Sequence, residues 1–379
     1  MQSRRRLALL TLHSLLILMM LSPNGFGAEA PLRIGLILST TGQWSSLGGP
    51  AREGAFLAAE KFNAAGGLKG QKVELVFEDD EGDPAKAASL LRKLATQDKV
   101  CAVFGASTTA ASRAMAEVAE NIKITMLAPV PTRAVAEGRL YVFHSVMPID
   151  LATEFLGQYM TERLQWKRIA ILHDTIEYGI TFAEHMDKWL KGRGSETFSE
   201  KFAPTARDLT PTWLKIAERK PDGLLLAAAA LDASAIAMKN RSQLGLKIPV
   251  LAGGALSSMR FVQLAGDAAE GTLFQSAFGY DRPREAEKKM ISALAEKAGG
   301  GPPSTLFAVG WDSINLLLQA MQGAGCKHEA IRKGLEDIKG FQGATGVFNF
   351  SPTDHNGHSA KNDTIVKFEK GRFSHIFSY

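Results

Sequence analysis

Residues 34–87 constrain this chain more than any other stretch. The run at 34–38, Ile-Gly-Leu-Ile-Leu, has no polar face, the pattern of a strand covered by helices on both sides. Ser39, Thr40, Thr41 and Gly42 follow as a loop at the carboxyl end of that strand, the edge at which open α/β sheets bind ligands. A helix with an alanine-rich face is expected from about 49 to 64, closed by Gly66, Gly67 and Gly70. A second strand at 72–77 runs into Glu78, Asp79, Asp80 and Glu81. Asp83 and Pro84 then read as the N-cap and first residue of another helix. The stretch is a βαβ unit, which commits the chain to parallel pairing.

The rest of the chain repeats the alternation. Strands are expected at 100–104, 124–127, 168–172, 223–226, 249–251 and 271–275. Helices are expected at 84–97, 110–121, 151–164, 181–191, 211–218, 233–244, 285–298 and 306–323. Such alternation argues for parallel sheets with covering helices, in two copies. No internal repeat or low-complexity segment stands out.

The amino terminus sets the compartment. Arg4, Arg5 and Arg6 precede an apolar stretch at 7–21, shorter than a comfortable membrane span. Gly25 and Gly27 put small residues at the usual recognition positions, so residues 1–27 read as a cleaved signal peptide and the mature protein as exported to the periplasm. The formal charge of +5 falls to +2 once the three leader arginines are set aside, and no long basic run follows, so nucleic acid is not an expected partner. Forty-five per cent hydrophobic residues supply ample core, and a mature chain of about 350 residues favours two lobes.

Enzyme signatures are missing from the sequence. There is no G-x-S-x-G elbow, H-E-x-x-H pair, P-loop or dinucleotide glycine fingerprint. His355 and His358 fall in a turn and are not read as a metal site, and no cofactor is implied. Cys101 sits in an apolar strand and Cys326 in a loop after a helix, so two separate thiols are expected.

Residues 34–87 also carry a set of motifs in one order: Thr-Gly before a glycine loop, a Gly-Ala-x-Leu-Ala helix, Asn-x-x-Gly-Gly-x-x-Gly, and Glu-Asp-Asp-x-x-Asp-Pro. Later landmarks are Asp174 with Tyr178-Gly179, Ala269-Glu270-Gly271 before Phe278-Gly279-Tyr280-Asp281, and Phe341 to Gly346 with Asn349-Phe350 and Asn356-Gly357. Together they resemble the leucine/isoleucine/valine-binding family of periplasmic binding proteins over essentially the whole mature chain. The resemblance implies an α/β fold with two Rossmann-like lobes, parallel-sheet cores and three hinge crossings near Pro148, Phe278 and Gly357. Lobe 1 would combine 31–149 with 278–357, and lobe 2 would combine 150–277 with 358–379. It implies a monomer that delivers a small carboxylate-bearing solute or amino acid to the permease subunits of an ABC importer. A ligand-sensing receptor on the same fold, or a secreted hydrolase, are the alternatives. A disulfide near the cleft, which related proteins can carry, does not transfer, because only Cys101 lies in that region.

The implied ligand site lies between the lobes. A glycine loop feeding a helix at Gly105–Ala110 offers free N–H groups and the hydroxyls of Ser107, Thr108 and Thr109 to an anion. By resemblance, Thr109 and Thr132 take hydroxyl positions toward the ligand, Val130 supplies a backbone group and Tyr178 a ring. Trp44 and Leu47 stand in the first loop, where they would wall the ligand side chain. Three positions depart from the family pattern: Leu47 replaces an aromatic ring, Gly254 an acid that holds the ligand ammonium, and Ala230 a tyrosine. A buried ammonium without its partner is costly, so an acid lacking the amine is the better-fitting ligand. Asp150, Glu177 and Asp232 are the candidates for a substitute charge.

Overall fold

A computed structural model describes residues 30–296, 303–359 and 363–378. The expected signal peptide at 1–27 lies outside them. Two sheets organise the described residues. The first contains β1 (Leu32–Leu38), β2 (Val73–Asp79), β3 (Ala102–Gly105), β4 (Met126–Ala128) and β5 (Val142–His144), in the order β2-β1-β3-β4-β5. All its pairings are parallel. The second contains β6 (Arg168–Asp174), β7 (Glu196–Phe202), β8 (Gly223–Ala227), β9 (Val250–Ala252), β10 (Leu273–Ser276), β13 (Thr364–Glu369) and β14 (Arg372–Ser378). Its order is β14-β13-β10-β9-β8-β6-β7, parallel except for the antiparallel pairs β10–β13 and β13–β14. A small hairpin joins β11 (Phe341–Gly343) to β12 (Gly346–Phe348).

The helices on the first sheet are α1 (Ser45–Ala64), α2 (Pro84–Thr96) and α3 (Thr109–Ile122). On the second are α4 (Ile149–Gln158), α5 (Glu177–Lys191), α6 (Thr210–Glu218), α7 (Leu231–Gln243) and α8 (Met259–Ala265). Then α9 (Glu285–Ala295), α10 (Thr305–Met321) and α11 (His328–Glu336) return to the first sheet. The return is written in the core: Ile314, Leu317 and Phe348 share one apolar cluster with Ile34, Leu36 and Phe104 of the first sheet. The cluster of the second sheet likewise takes Val366 and Phe373 from β13 and β14. The chain therefore passes between the sheets three times, after β5, after β10 and before β13.

The alanine face of α1 has a steric cause. Ala51, Ala55 and Ala58 are buried against α10, and the two helices approach backbone to backbone. A Cβ on Gly54 would stand 2.0 Å from the Phe307 carbonyl oxygen, and one on Gly310 1.9 Å from that of Ala51. Small residues are thus required at the crossing. α1 begins at Ser45, before the expected start, because the helix runs back through Gly48, packed on the Ser39 carbonyl.

One expectation is overturned. Cys101 and Cys326 form a disulfide, with Cα atoms 4.6 Å apart, rather than two separate thiols. The turn after α10 is carried back to the amino end of β3, where the His328 imidazole Nε2 lies 3.3 Å from the Val100 carbonyl oxygen. That return of distant chain brings Cys326 to Cys101, and local sequence gives no sign of it. The strands β5 and β7 and helix α11 were also not anticipated. β7 is an edge strand that carries Glu196, Glu200 and Lys201, and its burial is correspondingly partial.

Candidate ligand-binding site

A cavity of about 330 Å³ lies where elements of both sheets and all three crossings meet. That is within the range of small-molecule sites. Its first wall is the loop after β3 and the start of α3. Here the hydroxyls divide their work. Ser107 Oγ accepts from the Ser39 backbone N–H at 3.0 Å, tying the loop to the end of β1. Thr108 is the N-cap of α3 and accepts from the Ala111 N–H at 3.3 Å. Ser112 Oγ donates to the Ala106 carbonyl and accepts from its N–H, closing the loop from behind. Thr109 remains. It lines the cavity at 6% exposure, and its hydroxyl has no partner among the described residues. The N–H groups of Thr109 and Ala110 are the first two of the helix and need partners from outside it. With the helix dipole behind them, these donors suit an anion.

Val130 continues this wall between Pro129 and Pro131. Thr132 does not line the cavity: it is buried nearby, with its hydroxyl oxygen unpartnered, and it opens a short turn at Arg133–Val135. Trp44 and Leu47 both line the cavity. The Trp44 indole lies over Gly82, where a Cβ would come 2.1 Å from its ring, so the loop anchor and the cavity wall are the same side chain.

The opposite wall is the amino end of α5. Tyr178 presents its ring to the cavity beside Phe182, with ring centroids 5.7 Å apart. Burial of its hydroxyl raises the pKa above the ordinary phenolic value. Glu177 also lines the cavity, ion-paired to Arg113 of α3, a contact that joins the two walls. Asp150 is outside the lining and bonds Arg133 Nε at 2.7 Å, and Asp232 is exposed and outside it as well. At the end of β8 the cavity meets Ala229 rather than Ala230. The N–H groups of both bond the Asp174 carboxylate at 2.7 and 2.8 Å. Burial pushes Asp174 up to about 6, against the pull of those N–H bonds.

The floor comes from the crossings and was not legible beforehand. Gln275 Oε1 accepts from the Gly254 N–H at 3.1 Å, and its Nε2 donates to the buried Asp363 carboxylate. Burial raises Asp363 to about 7, partly offset by the Gln275 bond and by the charge of Arg284. His358 also lines the floor, and burial lowers its imidazole to about 3, leaving it neutral. His355 is directed elsewhere, to the Val142 carbonyl and Glu336, so the two histidines do not converge. His144 is buried beneath the first crossing and held down to about 4 by desolvation. No lysine or arginine lines the cavity among the described residues.

Fold and site together define a two-lobed α/β protein with a ligand-sized cavity between its sheets. Comparison with known proteins agrees. The periplasmic binding protein family model matches residues 31–368, and the chain belongs to that family. The Leu/Ile/Val-binding protein homolog 3 of Brucella melitensis is 26% identical over 350 residues, covering 91% of this chain and 93% of the relative. Leu/Ile/Val-binding protein BraC3 of Rhizobium johnstonii is 25% identical, covering 91% and 94%. Among solved structures, the leucine-binding protein LivK of Thermotoga maritima superposes with a TM-score of 0.83 at 23% identity, over 91% of this chain and 98% of that one. LivJ of Streptococcus pneumoniae, solved with isoleucine, gives 0.82 at 23% identity, over 91% and 99%. The resemblance read from the motifs, and the two-lobed fold it implies, are thereby borne out. The relatives named are solute-binding proteins.

Proposed function

We propose that the protein is the periplasmic solute-binding component of an ABC importer, exported by cleavage of residues 1–27. It binds one small carboxylate-bearing solute, an amino acid or related acid, between lobe 1 (31–149 with 278–357) and lobe 2 (150–277 with 358–379). The two lobes close on the solute by hinge bending at the three crossings, and the closed monomer docks on the permease subunits. The observation that carries this reading is the start of α3. The N–H groups of Thr109 and Ala110 and the Thr109 hydroxyl face the cavity uncommitted, while both neighbouring hydroxyls serve the loop itself. The solute carboxylate takes these three donors, Tyr178 covers it from the other lobe, and Val130, Trp44 and Leu47 surround its apolar body.

The test is a thermal-shift panel of aliphatic and aromatic carboxylates, each beside its amide. Ligand that binds only the folded state raises the melting temperature as its concentration rises. At least one acid should do so with 1:1 stoichiometry and without turnover, and its amide should not. A panel in which no acid stabilises the protein, or in which an ester is hydrolysed, refutes the reading.

A further inference from the structure

Among the described residues, one charge in the cavity has no counter-charge on its walls. Asp363 stands at the entry to β13 with 5% exposure and lines the floor. One carboxylate oxygen accepts from Gln275 Nε2, and the other has no partner among the described residues. Gln275 is not free to turn, because its Oε1 is held by the Gly254 N–H. The amide therefore aims its N–H at Asp363 and fixes the carboxylate in place. Arg284 attracts it from a distance but is committed: its Nε bonds Glu287 and its Nη2 the carbonyl oxygens of Ala277 and Ala344. The other described groups that line the cavity bring no cation. His358 is neutral, Tyr178 is protonated, and Glu177 is already paired with Arg113.

We propose that Asp363, oriented by Gln275, is a cation-accepting subsite, so that the transported solute carries a protonated amine in addition to its carboxylate. The inference rests on the carboxylate reading above and specifies its ligand class. A solute with only a carboxylate adds a second anion to a cavity whose one unbalanced side chain is already acidic, whereas a zwitterion leaves it neutral. Gly254, which stands where relatives place an acid, thus does not leave the cavity without one. The acid comes from the third crossing, and the Gly254 N–H holds the glutamine that positions it.

The experiment measures dissociation constants for matched pairs of ligands, each an amino acid and the same acid without its amine, by calorimetry at pH 8 and pH 5.5. The wild-type protein should prefer the amine-bearing member by about tenfold or more, the scale of one hydrogen bond to a charged group. That preference should shrink at pH 5.5, because protonating Asp363 removes the acceptor, while binding of the amine-free acid should hold or strengthen. Asp363→Asn should abolish the preference and its pH dependence and leave the amine-free acid bound. Equal affinity for both members in the wild type, or an intact preference in Asp363→Asn, overturns the subsite and leaves the carboxylate reading standing. If Asp363→Asn does not fold, the wild-type preference and its pH dependence decide alone. Absence of binding by every acid overturns both proposals.

Discussion

The three neighbouring hydroxyls at the start of α3 make a sharp test, because the structure assigns them different work. Thr109→Val removes a hydroxyl with no partner among the described residues while keeping the branched shape. If that hydroxyl donates to a bound carboxylate, its loss costs about 1.5–3 kcal/mol, the range for a hydrogen bond to a charged group. That corresponds to roughly a 10- to 150-fold rise in Kd. The Thr109 and Ala110 N–H groups remain, so binding weakens without vanishing. The ligand-free melting temperature should be nearly unchanged, since no folded-state bond is lost. Thr108→Ala is the counterpart. It deletes the cap that accepts from the Ala111 N–H, at a cost of about 1 kcal/mol, or roughly 1–2 °C for a chain this long. Its effect on Kd should be small. Calorimetry with the tightest acid of the panel, and melting without ligand, separate the two. The assignment fails if Thr109→Val keeps full affinity, or if it lowers the ligand-free melting temperature as much as Thr108→Ala does.

Other outcomes follow from the same structure. Cys326→Ser should lower unfolding stability by about 2–4 kcal/mol, with wild type in reductant matching the variant in a guanidinium titration; an unchanged midpoint would deny the bridge. Gly310→Ala drives a Cβ into the Ala51 carbonyl and should cost about 1–3 kcal/mol or more as overpacking, whereas Gly254→Ala meets nothing nearer than 3.5 Å and should be almost neutral. Urea midpoints of the two variants check both. His144 is held down to about 4 in the fold from an ordinary value of 6.5, so the unfolded chain binds the extra proton between those values. Stability from this group is complete above pH 6.5 and is lost as pH falls toward 4. The buried acids Asp174, Asp312 and Asp363 are raised and act in the opposite sense. The measurement is therefore the difference between wild type and His144→Gln across that window, and the variant should show the shallower loss on acidification.

How much could be read in advance depended on whether the signal was local. The strand–loop–helix order of residues 34–87 and the glycine loop before Thr109 follow from periodicity and capping within a few turns of chain, and both are found at the expected places. Trp44, Ser107, Thr108, Thr109, Val130 and Tyr178 all reach the cavity because each sits at or beside a strand end or helix start facing the same edge. Thr132 and Asp150 lie close in sequence to that edge, yet a short turn and an arginine direct them elsewhere. Family pattern placed a missing charge at Gly254 and led toward an amine-free ligand. Asp363, which the third crossing brings to the same cavity, has no comparable local mark in the sequence.

The sequence by itself determined the class of fold, the family and the glycine loop that opens α3, because hydrophobic period, caps and glycine turns act over a few residues. Tertiary structure alone decided that Cys101 meets Cys326 across 225 residues of chain, and that Gln275 meets Asp363 across 88. Both contacts exist because the chain returns late to a sheet it built early. Apolar burial drives that return, but burial carries no local mark of which polar groups it will bring together.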